Sequence, residues 1–434
     1  MQIKILTISE LSMSLSAEVT KELSGSQPAI ATSSWRRHDT HWVISLFGTA
    51  VGAGILFLPI NLGLGGIWPL LIVAVLAGPM TFLAHRGLAR FVLSSSRPQA
   101  DFTEVAEEHF GKMAGRLISA LYFLSIFPIL LIYGVGLTNT VESFMVNQLG
   151  MATPNRVMLS GLLVFAMIAV MMAGEKAMLR AFAFMVYPLA AILAALSCYL
   201  IPQWHWPEVT AFDGAGFLNT VWLALPVTVF AFSHAAAISG FANVQRREYG
   251  EQAEAKSGLI LRNTTVMLVG FVLFFVFSCV LSLSPLQLAE AKAQNVSVLS
   301  YLANITDNPV IITLGPLIAF IAISSSFLGH FLGARESLKS LIAKPTGLSI
   351  AKADRLGIAL MFFAIWGAAV LNPGILGLME TLSGPVIAMI LFIMPVVAIY
   401  RVEALARFRQ GWVNGFILLT GSLAVSALIF SLLK

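Results

Sequence analysis

The sequence predicts an all-α polytopic membrane protein of 11 transmembrane helices. Three observations carry this. Of 434 residues, 58% are apolar and 11% charged, against about 25% charged in soluble domains. The mean hydropathy is +0.87. The apolar residues also fall in continuous runs of about 20, the length needed to cross about 30 Å of hydrocarbon. A transmembrane β-barrel would instead alternate over strands of about 10 residues. With 26 basic and 21 acidic residues, the chain cannot cover the surface of a soluble enzyme, and it does not read as a disulfide scaffold or a disordered segment. Cys198 and Cys279 lie in apolar runs without a CxxC pair. They read as small buried side chains, and neither a metal nor a cofactor is expected.

The elements follow in order. Residues 1–40 are polar and Ser/Thr-rich, without a long apolar core, and read as a cytoplasmic tail and not as a signal peptide. Spans are expected near 42–61, 67–86, 117–146, 157–174, 178–201, 217–242, 263–283, 310–332, 357–372, 375–399 and 412–433. With the N-terminus in the cytoplasm, 23 of the 26 Lys and Arg residues fall on the inside; Arg156, Lys292 and Lys434 fall outside. One missed or false span would invert everything downstream of it, so this bias predicts the N-terminus inside and the C-terminus outside. The net charge of +5 is thereby a sorting signal, and no nucleic-acid partner is expected. Trp42, Trp68, Trp204, Trp206 and Trp412 fall at span ends, as an interfacial aromatic belt requires.

Two spans carry helix-weakening residues near their middles. The first contains Gly48, Gly52, Gly54 and Pro59, and glycine costs about 1 kcal/mol in a helix interior relative to alanine. Such a cluster fits either a midplane break that offers backbone N–H groups to a carboxylate or close helix packing of the small-xxx-small kind. The sixth span has a similar soft middle, with Pro226, Ser233, His234, Ser239 and Gly240. Interruptions five spans apart suit a five-plus-five inverted repeat.

Ionisable residues at depth are few: Glu142, His234, His330 and Glu380. A charge there costs about 2.5–3.5 kcal/mol on insertion scales, so each needs a reason. Glu142 is near the outer end of span three. His234 and Glu380 are candidates for proton coupling or for structural hydrogen bonding. His330 could gate, relay protons or cap a neighbouring helix. Ser324, Ser325 and Ser326 could bond to backbone or ligate a cation, and Tyr133 needs a hydroxyl partner at lipid depth. Residues 102–110 read as an acidic cytoplasmic helix, and 285–294 as a short extracellular helix able to act as a lid.

Several segments resemble the hydroxy/aromatic amino acid permease family, in particular its serine and threonine permeases. They include Trp35-Arg-Arg-His-Asp-Thr40, Phe47-Gly-Thr-Ala-Val-Gly-Ala-Gly-Ile-Leu-Phe-Leu-Pro59 and Thr103-Glu-Val-Ala-Glu-Glu-His-Phe-Gly-Lys112. Phe327-Leu-Gly-His-Phe-Leu-Gly333 and Asn372-Pro373 with Glu380 continue the pattern. Matches in the polar segments matter most, because apolar composition cannot imitate them. The resemblance implies a LeuT-like core over 41–400, with repeats near 42–201 and 217–399, followed by a cytoplasmic loop and an eleventh helix over 401–434. It implies proton-coupled uptake of a small neutral amino acid across a bacterial inner membrane. Gly52, Ala53 and Gly54 would meet the substrate carboxylate, and Tyr133, Ser233 and His234 would line the pocket. Gly48, Val51 and the serines 324–326 correspond to the cation position of sodium-coupled relatives, with Glu380 and His330 as further coupling candidates. The expected partners are an amino acid, a proton and membrane lipids. Alternatives within the same fold are an aromatic or other amino acid substrate, sodium coupling or a sensor role. A channel would show a filter loop or charged ring, and an enzyme a motif such as HExxH or GxSxG; neither occurs.

Overall fold

The computed structural model describes residues 34–173, 175–206 and 214–433. The expected tail up to residue 33 and the outside cation Lys434 lie outside the described residues. No strand occurs among the described residues. The first expected span is made of α1 (Arg37–Ala50) and α2 (Ala53–Leu64), followed by α3 (Ile67–Leu93), α4 (Phe102–Ser143), α5 (Arg156–Met172) and α6 (Glu175–Leu200). The sixth is made of α7 (Gly214–Ala231) and α8 (Ala235–Tyr249), and the seventh is α9 (Ala253–Ser282). Two short helices, α10 (Pro285–Ala293) and α11 (Val298–Ile305), precede α12 (Pro309–Thr346) and α13 (Ile350–Leu371). Then come α14 (Ile375–Arg401) and α15 (Gly411–Leu432). Within α14, Met379–Ser383 and Met389–Ile393 are π-helical turns.

The chain is a multi-pass membrane protein. Eight helices are long and apolar enough to cross a membrane, or nine when the bent pair α1 and α2 is one span. Eleven were expected. The difference lies in Arg156–Met172 and Phe217–Ala231, which are apolar but short. The 17 residues of α5 reach only about 26 Å at 1.5 Å per residue, and α7 stops where its span breaks.

The ends of the helices follow from local chemistry. Asp101 accepts the Glu104 N–H at 2.9 Å while the Glu104 carboxylate accepts the Asp101 N–H at 3.2 Å, a capping box that starts α4. The acidic 102–110 segment is helical, as expected, and is joined to the third span through Gly111, whose φ of 79° suits a residue without Cβ. Ser284 and Gln287 cap α10 reciprocally, with Pro285 in its first turn. Asn372 ends α13 in the left-handed region. At the centre, α4 packs along α12, and the broken first span is enclosed: Leu46, Phe47, Ile55 and Leu56 are fully buried.

The expected set of four ionisable residues inside spans gains His85, which is buried in α3. Outside the expected spans, Asp39 and Lys256 form a buried ion pair at 2.8 Å. Lys256 also meets the Ser34 carbonyl at 3.2 Å, and Tyr249 donates to Asp39 at 2.5 Å. The pair ties the start of α1 to the α8–α9 corner. Sequence position alone had placed Asp39 in the tail and Lys256 in a loop.

Candidate functional site

The first break is at Val51 (φ −75°, ψ 94°) and Gly52 (φ −145°, ψ −152°), and the two half-helices bend by 56°. The glycine cluster therefore marks a true interruption. The leading N–H groups of α2 have no acceptor within their own helix, and the helix dipole puts positive potential there. At the end of α1 the Thr49 carbonyl accepts the Ser326 hydroxyl at 2.5 Å, and that hydroxyl lies 2.7 Å from the Tyr133 hydroxyl. His330 completes the group: its Nδ1 is 2.9 Å from the Ser326 carbonyl, and its ring meets the Tyr133 ring edge-on at 5.6 Å. Gly52 is pressed against this cluster. A Cβ there would be 2.6 Å from Ser326 Cβ and 2.7 Å from the Tyr133 hydroxyl.

The second break covers residues 232–234, between α7 and α8. It faces the first, since a Cβ on Gly54 would fall 2.7 Å from Ala231 Cα. Ser233 and His234 are buried in this bend. Ala53 and Val51 are fully buried beside it, with Gly48 buried one turn earlier in α1.

Not every expected residue joins the cluster. Serines 324–326 are all fully buried, but they do different things. Ser326 bridges to α1 and α4. Ser325 donates back to the Ala322 carbonyl at 3.1 Å, and the Ser324 hydroxyl has no partner among the described residues. Glu380 is half-buried in a π-helical turn and accepts from Asn61 Nδ2 at 2.8 Å. Asn61 lies nine residues beyond Gly52, about 13 Å along α2. Glu142 pairs with Arg156 at 2.5 Å. Sequence reasoning missed His85, whose ring stacks on His234 with centroids 3.6 Å apart. It lies within the expected span 67–86, so a complete count of titratable residues in that span finds it.

A cavity of about 1080 Å³ leads away from the breaks. It runs from Thr49 and Gly329, next to the Ser326 cluster, past Trp42 and Ala237 to Glu336 and Asp354. It opens on the face that holds the start of α1. A polar network lies at the opposite end of α4. Arg156 donates to Glu142 at 2.5 Å, to Asn139 at 2.6 Å and to the Ala369 carbonyl at 2.8 Å. Asn139 donates to the Asn295 carbonyl at 2.8 Å and to Asn372 at 3.0 Å, and Asn295 donates to Asn372 at 3.0 Å.

Two broken helices meet beside a cavity, an arrangement that suits a membrane permease. The chain matches the Tryptophan/tyrosine permease family over residues 41–431, and it belongs to that family. It is 51% identical over 412 residues to the serine transporter SdaC of Escherichia coli strain K12, covering 92% of this chain and 96% of that one. It is 40% identical over 432 residues to the threonine/serine transporter TdcC of Yersinia enterocolitica, covering 93% and 98%. Among solved structures it is similar to MhsT in complex with L-phenylalanine, with a TM-score of 0.61, 16% identity and coverage of 91% and 97%. At that identity the likeness concerns the fold alone.

Proposed function

We propose that this protein is a secondary active transporter that carries a small neutral amino acid, serine- or threonine-like, into the bacterial cytoplasm together with a proton. The juxtaposition of the two breaks supports this reading, as do the names of the relatives. The substrate carboxylate meets the N–H groups of Gly52, Ala53 and Gly54 at the start of α2, where the dipole favours an anion. Tyr133, Ser233 and His234 line the rest of the pocket. Of the coupling candidates, His330 is best placed, because it contacts Ser326 and Tyr133 directly. Protonating it changes the cluster that joins α1, α4 and α12. Glu380, on α14, bonds instead to Asn61 far along α2.

In this reading the chain crosses the inner membrane 11 times, N-terminus in the cytoplasm and C-terminus outside. Two inverted repeats near 42–201 and 217–399 form the core, and 401–434 adds the last helix. The cavity then faces the cytoplasm, so the structure is inward-open. The decisive experiment is uptake of labelled serine, threonine and tryptophan into proteoliposomes, with and without an inward proton gradient. Accumulation of serine or threonine that needs the gradient is expected. Binding without gradient-driven accumulation removes symport, and a preference for tryptophan removes the substrate class. His330→Gln should uncouple uptake from the gradient, while Glu380→Gln should leave it coupled.

A further inference from the structure

His85 takes no part in the transport step proposed above. It is buried on α3, and its ring lies flat on that of His234, with centroids 3.6 Å apart and planes 7° apart. Its Nδ1 is 2.7 Å from the Thr81 carbonyl, so that nitrogen carries the hydrogen and donates. Nε2 therefore presents a lone pair, and it accepts the backbone N–H of His234 at 3.0 Å. His234 is the N-cap residue of α8, and its side chain makes no cap hydrogen bond. Helix starts leave N–H donors unfilled and are usually capped by a nearby Ser, Thr, Asp or Asn. Here a histidine 149 residues earlier in the chain supports that corner. The space beside His85 is a cavity of only about 10 Å³, at the lower limit for a single water.

The bend fixes His234 in turn. Its Nδ1 faces the Phe232 carbonyl at 3.2 Å and donates, which leaves Nε2 as an acceptor. That Nε2 is buried with no partner among the described residues. The bend lies against the first break and α12, since a Cβ on Gly54 would fall 2.7 Å from Ala231 Cα and one on Gly333 2.8 Å from the Ala236 carbonyl. An unfilled buried acceptor selects for a ligand that brings a donor.

We propose that His85 is a positioning residue for substrate recognition: it holds the sixth-span bend so that His234 Nε2 accepts the hydroxyl hydrogen of a serine- or threonine-like substrate. This rests on the transport reading above. The test is binding of L-serine and L-alanine, which differ only in that hydroxyl, to the purified full-length protein. The wild type should prefer serine by at least about tenfold. His85→Leu removes the acceptor and should bring serine down to the alanine level, with alanine binding unchanged. His85→Gln places an acceptor at similar reach and should restore the preference, whereas the shorter His85→Asn should not. If the Leu variant does not fold, the Gln and Asn variants carry the same comparison. An unchanged serine-to-alanine ratio in the Leu or Asn variant overturns the proposal. So does equal binding of both ligands by the wild type, which leaves the transport reading standing. Failure of the wild type to bind any amino acid overturns the transport reading instead.

Discussion

Gly52 sits where three elements converge, and its lack of a side chain is a packing requirement. A methyl group there would lie 2.6 Å from Ser326 Cβ, well inside contact distance. Overpacking of this kind costs about 1–3 kcal/mol and here displaces Tyr133 and Ser326. Gly52→Ala should therefore lower substrate affinity at least about tenfold while the protein still elutes as a single folded species. Isothermal titration with wild-type affinity in this variant would remove the site from the first break. The buried pair Asp39–Lys256 makes a second prediction at this scale. Lys256→Met leaves a carboxylate buried without its cation, a loss of about 3–5 kcal/mol in comparable pairs. The apparent midpoint of thermal unfolding in detergent should fall sharply, and the double variant Asp39→Asn with Lys256→Met should recover much of it. A double variant no better than the single one would show that the charge is not the issue.

The elements differ in how plainly their residues announce them. The weak points at both breaks were readable, because Gly48, Gly52, Gly54 and the soft segment around Ser233 weaken a helix, but the glycines alone fitted close packing equally well. The short helix over 285–294 was readable too, since Ser284, Pro285 and Gln287 form a local capping signal. The function of His85 was not. Its partner is 149 residues away, and nothing near Ala84 or Arg86 marks the stack. Likewise Ser324, Ser325 and Ser326 look alike in sequence, and only the neighbours of α12 separate the bridging hydroxyl from the others. The short pair α10–α11 carries its own prediction. Tyr301 donates to Glu290 at 2.5 Å, and burial together with that carboxylate pushes the phenol up to about 12. A phenol raised above its ordinary value near 10 stabilises the folded form fully below pH 10, and that contribution disappears as pH rises through 12. Hydrogen exchange of α10 should accelerate over that window in the wild type and show no such step in Tyr301→Phe. The same step in both would locate the titration elsewhere.

For the whole molecule, the cavity on one face and the polar network on the other are two halves of one state. The network joins α4, α5, the segment before α11 and the end of α13 through Arg156, Asn139, Asn295 and Asn372. Hydrogen bonds to charged groups contribute about 1.5–3 kcal/mol each, and 1.4 kcal/mol is a tenfold shift between two states. Arg156→Gln should therefore move the population away from the form with the open cavity. In a background without Cys198 and Cys279, a cysteine at Ala237 reports this, because that position lines the cavity. Its labelling from the cavity side should drop about tenfold in the Arg156→Gln variant. Unchanged labelling would mean that the network does not hold the state.

The cavity itself makes the cycle a matter of water as well as of amino acid. At about 30 Å³ per molecule, its volume corresponds to on the order of 30 waters, far more than one small solute displaces. In the transport cycle proposed above, closing that face would expel most of them, so the return step would work against the activity of bulk water. Solutes too large to enter the vestibule would draw water out of it and favour the closed form of that cycle, which would link turnover to the osmotic strength on that side of the membrane.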